Sequence, residues 1–458
     1  MSTTHQSRLL ARRLSAGCLC CLAWAGLTLG SARAELPPVA DAPGSPSVAD
    51  APGSPAEELA LDAAVAWALV HNPELAALRE QHGIAAASIV IAQTYPFNPL
   101  WEAKIRGVSG PDSAGITNRV SNEHKLLLEV EIRQQGKYRR QGAFAALSRT
   151  DWEIAFQETA FAVRVVRAFD GLLYREAKLR LIDKTVELNH EAVGNVRKSV
   201  EGGKLKPADL IVAQTEEADA RAQYGASRLA RAQARSEFRR AMGLTEGIVN
   251  PRGTLEMPGQ AWDVESLVQT ALERRADLKA RLAAADEADA RLRLAVADRF
   301  GNPNMGPAYE YDPGRVNLIG WQIALPLPLF NTHRGEILQR QAELGKAILE
   351  VRSSEFQARE EVHAAVARLK EANDWLKYYD TQTLPQLEKA LKDIERLFSE
   401  GDPGVDLIRV IDIRRKLLKA REGRLDAVWE VRQGVADLTA AAGDLSLAIG
   451  TKADPAGK

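Results

Sequence analysis

The segment Glu201-Gly-Gly-Lys-Leu-Lys-Pro-Ala-Asp-Leu210 separates two long stretches with helical periodicity, and Glu400-Gly-Asp-Pro-Gly-Val-Asp-Leu407 does the same later in the chain. Glycine suits the end of a helix, proline suits the first turn of the next helix, and an aspartate near that start interacts favourably with the helix dipole. Each segment is therefore predicted to be the turn of a helical hairpin. We call them the first tip (201–210) and the second tip (400–407).

Other segments recur in the same order, which is typical of an internal repeat. Ala66–Leu75 is echoed by Gln269–Leu278, and Tyr95-Pro-Phe-Asn-Pro99 is echoed by Arg299-Phe-Gly-Asn-Pro303. We interpret the chain as a tandem duplication with a first half at 59–250 and a second half at 251–450, connected near Pro251–Gly259.

Long helices are predicted on both sides of each tip. The stretch 136–200 has no proline and reaches coiled-coil length, with apolar residues at heptad spacing at Val165, Leu172, Leu179, Val186 and Val193. The return helix is predicted from Pro207 to about Met242. In the second half we expect helices at 333–398, bent at Pro385, and at 405–447, with a heptad at Ile411, Leu418 and Leu425.

Each half is also predicted to begin with one helix, 61–95 or 264–300, that ends at an Asn-Pro pair, followed by two strands. The strands are expected at 101–108 and 123–133, and at 306–311 and 315–327. Alternate residues are apolar, at Leu126, Leu128, Val130 and Ile132 in one strand and at Ile319, Trp321, Ile323 and Leu325 in another. The fold class is therefore mainly α with a small β part, in which each strand has one apolar face.

The N-terminal residues 1–34 are predicted to be a signal peptide. Arg8, Arg12 and Arg13 precede an apolar run, and Ala32-Arg33-Ala34 fits a cleavage site. The alternative is a lipoprotein signal in which Cys18 is acylated. Residues 35–58, rich in Pro, Gly, Ser and Ala, are predicted to be a disordered spacer, and 451–458 a C-terminal tail.

Composition and motifs argue against several kinds of activity. The formal net charge of -1 gives no bias toward nucleic acid. No cofactor, metal site or catalytic residue is predicted, because no phosphate loop or nucleophile elbow is present and no two histidines lie at ligand spacing on one helix. All cysteines lie at 18–21. We therefore expect a protein that is not an enzyme.

The chain resembles the TolC-type outer-membrane efflux family, and in detail its heavy-metal (CzcC-like) branch. The resemblance extends over 59–450. Its most specific part is Leu325-Pro-Leu-Pro-Leu-Phe-Asn-Thr-His-Arg-Gly-Glu-Ile337. Glu131-Ile-Arg-Gln-Gln-Gly-Lys-Tyr-Arg139 is similar to the matching segment of the first half, although Tyr138 interrupts the usual glycine-lysine-arginine run.

The resemblance implies a homotrimer in the outer membrane with a periplasmic extension. Each copy would contribute four strands to a shared, lipid-facing β-barrel and its tandem hairpins to an α-barrel. The tips would dock a periplasmic adaptor protein, which works with an inner-membrane resistance-nodulation-division pump. The implied docking residues are Gly203, Leu205, Asp209, Leu210, Gly401, Val405, Asp406 and Leu407, and Glu400 and Asp402 could be gate acids. Solvated turn residues are the alternative for these two acids.

Two other functions remain open at this level. The same duct could serve drug efflux or type I secretion, or the chain could be a periplasmic coiled-coil scaffold or adaptor whose strands form a small soluble domain. The tips differ in charge, since the first carries Lys204 and Lys206 and the second carries Asp402 and Pro403. This difference predicts that docking is unequal at the two tips.

Overall fold

The computed structural model describes residues 58–109, 119–244, 250–256, 262–312, 314–400 and 405–449. The predicted signal peptide, nearly all of the predicted spacer and the predicted C-terminal tail lie outside the described residues, as do Gly401 and Asp402. The described chain is mainly helical with a small sheet. None of its described helices is both long enough and apolar enough to cross a bilayer.

The elements of the first half are β1 (Glu58–Leu59), α1 (Leu61–His71), α2 (Pro73–Gln93), β2 (Leu100–Val108), β3 (Arg119–Glu129), α3 (Gln135–Glu201) and α4 (Pro207–Met242). Those of the second half are β4 (Asn250–Pro251), α5 (Val264–Arg274), α6 (Ala276–Ala297), β5 (Asn304–Tyr311), β6 (Asn317–Ala324), α7 (Arg334–Tyr378), α8 (Leu384–Glu400), α9 (Leu407–Ala442) and α10 (Ser446–Ile449). The two halves have the same order of long helices and long strands, except that the single helix α3 of the first half corresponds to two helices, α7 and α8, in the second.

The first helix of each half is divided in two, where the sequence predicted one helix. Asn72 separates α1 from α2, and its side chain accepts a hydrogen bond from the Glu74 N–H at 2.8 Å. Pro73 then occupies the first position of α2, which requires no N–H. In the second half the division falls at Arg275, where no proline is present.

The long helices of the second half also differ from the prediction at two places. A π-helical turn at Tyr379–Thr383 separates α7 from α8 just before Pro385. Pro385 cannot donate a backbone hydrogen bond, so the irregular turn precedes it. The last long helix ends at Ala442, capped by Gly443 with φ 67°, and α10 follows as a separate short helix.

The main hydrophobic core lies where α3 and α4 meet α1, α7 and α9, and its large side chains include Phe161, Phe169, Phe238, Leu369 and Leu438. Of the predicted α3 heptad, Val165, Leu172 and Val193 are buried, and Leu179 and Val186 are half-buried. In α9 the predicted heptad is only half-buried. The neighbouring residues Val410 and Leu417 are buried instead, because α9 turns these side chains toward the helices it packs against.

The four long strands form one antiparallel sheet in the order β2-β3-β5-β6. The central contact, β3 with β5, joins the two halves, and Glu129 lies opposite Asn304. A separate parallel pair, β1 with β4, joins the start of the described chain to the connector between the halves.

Candidate functional site

The first tip is a tight turn that ends α3. Gly203 has a positive φ of 73°. The Lys204 N–H donates to the Ser199 carbonyl at 2.8 Å, and the Gly203 N–H donates to the Val200 carbonyl at 3.0 Å. This pattern is a Schellman motif, which satisfies the last carbonyls of a helix. Glycine at 203 is therefore required by the backbone, as the sequence suggested.

Two of the predicted docking residues, Asp209 and Asp406, cap the N-termini of α4 and α9. The Asp209 carboxylate accepts a hydrogen bond from the Lys206 N–H at 2.9 Å. Asp406 precedes α9, and its carboxylate accepts from the Arg409 N–H at 3.0 Å. Both carboxylates satisfy backbone donors that would otherwise lack a partner at a helix N-terminus. Each aspartate therefore has a structural role, whether or not it also contacts another protein.

Apolar residues of both tips meet in one small cluster, which we call the tip cluster. It consists of Val193, Val196, Val200, Leu205, Leu210, Ala213, Phe398, Leu407 and Ile411. Leu205 and Leu210 come from the first tip and Leu407 from the second, so the structure brings the two tips together. The three leucines support the tips from inside.

The remaining predicted tip residues differ in exposure. Gly203, Glu400 and Asp406 are exposed, and Val405 is half-buried. A cross-link between the halves lies nearby, since Arg415 of α9 forms an ion pair with Glu216 of α4. Sequence reasoning missed this pair, because its two residues belong to different halves of the chain.

The four-stranded sheet has two chemically different faces. The register places one set of alternate residues on one face, and its exposed apolar members are Trp101, Ile105, Val120, Leu126, Ile319, Trp321 and Ile323. The opposite face carries polar and charged residues, namely Glu102, Lys104, Arg106, Glu123, Lys125, Glu310 and Gln322. The predicted alternation is present on this face, but Val130, Ile132 and Leu325 lie beyond the ends of β3 and β6. The apolar face is exposed in the single chain.

An aromatic row crosses the apolar face. The His124 ring stacks between Trp101, at 5.9 Å between ring centroids, and Tyr309, at 6.3 Å. These residues lie on three neighbouring strands. The sequence did not predict the row, because it depends on how strands of the two halves pair. The row gives the sheet a rigid aromatic surface.

The charged face carries an ionic cluster around Glu123. Lys104 and Arg106 each approach its carboxylate at 3.8 Å, and Lys125 forms a shorter ion pair. Three positive charges therefore neutralise this carboxylate. This face therefore suits contact with water.

A buried acid in α3 was also missed by sequence reasoning. Asp170 is 1% exposed, and neither of its carboxylate oxygens has a hydrogen-bond partner among the described residues. Burial raises the pKa of Asp170 to about 6, and the positive charge of Arg432 partly opposes this rise. The Arg432 Nε lies 3.7 Å from the carboxylate, while its Nη2 donates to the Thr254 carbonyl at 2.7 Å.

No protein-family model matches the chain, and no curated protein is similar to it in sequence. Solved structures are similar in fold. A membrane protein from Pseudomonas aeruginosa matches with a TM-score of 0.72 at 18% identity, over 85% of this chain and 93% of that chain. The outer membrane protein VceC from Vibrio cholerae matches with a TM-score of 0.68 at 16% identity, over 84% of this chain and 96% of that chain.

The MtrE outer membrane channel from Neisseria gonorrhoeae, in its open state, matches with a TM-score of 0.64 at 18% identity, over 84% of this chain and 89% of that chain. Structures of this kind are TolC-type outer-membrane channels. The chain described above therefore has the fold of TolC-type outer-membrane channels.

Proposed function

We propose that this protein is the outer-membrane exit duct of a tripartite, proton-driven efflux pump, and that it works as a homotrimer. The observation that carries the proposal is the two-faced sheet at one end of long helices, in a chain whose fold is that of outer-membrane channels. Transport through a duct involves no catalytic site and no cofactor.

The chemistry of the sheet supports a position in lipid. In a bilayer, every backbone N–H and C=O group of a strand needs a partner within the protein, so a sheet must close into a barrel. Among the described strands, β2 and β6 each have a neighbour on one side only. Three copies of this four-stranded sheet would give a barrel within the size range of bacterial outer-membrane barrels. The apolar face would meet lipid and the charged face would meet water.

The tips suit the docking of a periplasmic adaptor protein, which would couple the duct to an inner-membrane resistance-nodulation-division pump. Gly203 and Asp406 offer exposed surface, and the predicted contact also includes Val405 and Gly401. The tip cluster would support this surface from inside through Leu205, Leu210 and Leu407. Asp209 would stabilise the N-terminus of α4. Glu400 and Asp402 are the proposed gate acids.

Heavy-metal cations are the cargo that we propose, on the strength of the resemblance carried by Leu325–Ile337 and Glu131–Arg139. Deletion of the gene should lower growth on zinc, cobalt, cadmium or copper more than growth on dyes and antibiotics. Sensitivity to dyes and antibiotics alone would reassign the duct to drug efflux. A secretion defect without either sensitivity would reassign it to type I secretion.

The duct itself is tested by locating and reconstituting the full-length protein. Cell fractionation should place it in the outer membrane, with residues 1–34 removed. Purified protein should run as a heat-resistant trimer in detergent and give single-channel conductance in a planar bilayer. A soluble periplasmic monomer without conductance would contradict the proposal and favour a coiled-coil scaffold.

A further inference from the structure

The segment at 250–256 joins the two halves, and we call it the connector. Its backbone lies over the middle of α3, where a Cβ on Gly253 would lie 3.6 Å from Leu173 Cδ1 and 3.8 Å from Phe169 Cε1. Phe169 and Leu173 flank the buried acid Asp170 on this helix. The connector therefore covers the part of α3 that carries Asp170.

Arg432 of α9 contacts both the connector and the buried acid. Its Nη2 donates to the Thr254 carbonyl at 2.7 Å, and its Nε lies 3.7 Å from the Asp170 carboxylate. The second distance is longer than an N–H···O hydrogen bond, which is about 2.7–3.2 Å. Among the described residues, neither this Nε nor the two carboxylate oxygens has a hydrogen-bond partner. Arg432 therefore holds the connector, while its pair with Asp170 is incomplete.

Apolar side chains of α1 and α4 pack against the same part of α3. The Phe238 ring of α4 lies 5.8 Å from the Phe169 ring, measured between centroids. Val65 and Ala68 of α1 belong to the same core. Asp170 therefore lies in surroundings of low polarity, in which an ionised carboxylate is unfavourable.

Other polar and charged side chains near this place, from α3, α4, α9 and the connector, bond to partners other than Asp170. These pairs are Arg167 with Asp437, Tyr174 with Asp426, Arg424 with Glu256, and Arg235 with Asn250. The charge that acts on Asp170 is that of Arg432. The ionisation of Asp170 is therefore linked to the position of one guanidinium.

Asp170 changes its charge between pH 5 and pH 7.5. Burial raises its pKa to about 6, so the group is mainly neutral at the lower pH and mainly ionised at the higher one. The guanidinium of Arg432 is a rigid plane, so its Nε cannot approach the carboxylate without moving Nη2, which holds Thr254. The arrangement in this structure, with Nη2 on Thr254 and no hydrogen bond to Asp170, suits the neutral acid.

We propose that Asp170 and Arg432 form a pH-dependent latch that attaches the connector to the helices. When Asp170 is neutral, Arg432 holds the Thr254 carbonyl. When Asp170 is ionised, it draws the guanidinium toward itself, the hydrogen bond to Thr254 breaks, and the connector loosens between the halves. The latch is a property of one chain and does not rest on the proposed duct.

Backbone hydrogen exchange of the purified full-length protein, followed by mass spectrometry at pH 5 and pH 7.5, tests the latch. Rates are divided by those of an unstructured peptide at the same pH, which removes the intrinsic effect of pH on exchange. The amides of the connector report on its attachment, since the Arg252 N–H donates to the Leu59 carbonyl at 2.8 Å. We expect their protection to be about fivefold higher at pH 5 than at pH 7.5, as for the loss of one hydrogen bond.

Two substitutions separate the states of the latch. Asp170→Asn keeps the shape of the side chain without a charge, so the connector should show the higher protection at both pH values. Arg432→Gln removes the guanidinium that holds Thr254, so the connector should show the lower protection at both. In each variant the pH dependence of the connector should disappear.

Two control variants change other acids. Asp183→Asn alters an exposed aspartate on the same helix, and Glu256→Gln alters the acid of the connector itself. Both should keep the fivefold difference between pH 5 and pH 7.5. Loss of that difference in Glu256→Gln would assign the pH dependence to the connector's own acid and would overturn the latch.

The parent protein alone can also overturn the inference. Equal protection of the connector at both pH values would do so, as would stronger protection at pH 7.5. A pH dependence that persists in Asp170→Asn would show that another group is responsible. None of these outcomes bears on the duct, which is tested by conductance and cell fractionation.

Discussion

Asn72 and Arg275 occupy matching places in the two halves, between the first two helices, and each lies against the glycine that ends the last long helix of its half. A Cβ on Gly243 would lie 3.1 Å from Asn72 Cα, and one on Gly443 would lie 3.2 Å from Arg275 Cγ. Asn72 Nδ2 donates to the Ala241 carbonyl at 3.4 Å, and Arg275 Nη1 donates to the Ala441 carbonyl at 3.2 Å.

The two residues differ in charge and in what surrounds them. Asn72 is followed by Pro73, whereas the second half has no proline at its break. Burial lowers the pKa of Arg275, but hydrogen bonds to Asp277 and Glu361 outweigh burial and raise it overall. The break therefore recurs without the proline, which indicates that packing against a glycine-capped helix end fixes its position. Asn72 and Arg275 are different side chains with the same structural role, because each donates to the carbonyl at the equivalent position, Ala241 or Ala441.

The largest difference between the halves should appear when these two side chains are removed. Arg275→Met removes the hydrogen bonds to Asp277 and Glu361, whose carboxylates are partly exposed, and should cost about 1.5–3 kcal/mol of unfolding free energy. Asn72→Ala removes a helix cap and should cost about 0.5–2 kcal/mol. Chemical denaturation of the purified protein in detergent measures both. Equal losses of unfolding free energy in the two variants would contradict the expectation that the charged Arg275 contributes more than the neutral Asn72.

A second comparison concerns Asp170 of α3 and Leu369 of α7, which are the same number of residues from the starts of their helices and are both buried. The pKa of Asp170 is about 6 in the folded chain, against 3.8 for an ordinary aspartate. The folded chain therefore takes up a proton at a higher pH than the unfolded chain. Folding stability contributed by this group rises as pH falls from 7 through 6 toward 3.8, and is lost as pH rises.

Asp170→Asn should remove this pH dependence. Relative to the variant, the parent protein should gain up to about 3 kcal/mol between pH 7.5 and pH 4, since each pKa unit corresponds to about 1.36 kcal/mol. Denaturation at a series of pH values measures the gain. Asp183→Asn, an exposed change on the same helix, is the control and should leave the profile unaltered. Parallel profiles for parent and Asp170→Asn would show that the buried acid does not titrate in this range.

Substituting the glycines that cap α4 and α9 should lower the free energy of unfolding by a smaller amount, and by more similar amounts in the two halves. Gly243→Ala and Gly443→Ala each place a side chain at positive φ, which costs about 1–2 kcal/mol. The loss should be greater at Gly243, where the added methyl group meets Asn72 Cα at 3.1 Å and the Pro73 ring at 3.2 Å, than at Gly443, where the nearest backbone atom, Arg275 Cα, is 3.4 Å away. Denaturation midpoints of the two variants test the order. A greater loss at Gly443 would contradict it.

The smallest effect on stability should come from the tips, where the halves differ in charge. Lys204→Glu and Glu400→Lys change exposed residues and should alter the free energy of unfolding by less than about 0.5 kcal/mol. They should weaken cross-linking to the adaptor and cargo resistance by different factors. Identical functional losses would count against unequal docking at the two tips.

The sequence predicted those features that depend on neighbouring residues. Pro207 and Met242 bound α4 as expected, and alternation located β3 and β6, because a half-buried strand repeats every two residues. The one predicted helix over 264–300 was wrong. Arg275 is not a helix breaker, and only its distant partners Glu361 and Ala441 explain the division.

Part of the candidate site was predictable from the sequence, because that part depends on neighbouring residues. The glycine and aspartate roles at the tips follow from local helix-end chemistry, as Gly203 and Asp406 show. The tip cluster does not, because it joins Leu205 to Leu407, and no periodicity relates residues in different halves. Asp170 was missed because its burial depends on α9 and on the connector that carries Thr254.

The pairing of Glu58–Leu59 with Asn250–Pro251, reinforced by the Arg252 N–H donating to the Leu59 carbonyl at 2.8 Å, bears on the order in which the chain folds. The contacts described for this pair and for the Asn72 break lie before residue 257, so the helices of the first half can associate as soon as that length of chain is available to fold. The β2-β3 hairpin must wait, because an isolated two-stranded hairpin is marginally stable and its partner β5 arrives later. Helix association should therefore precede sheet formation, and the folding chain should pass through a state with associated helices and an unfinished sheet.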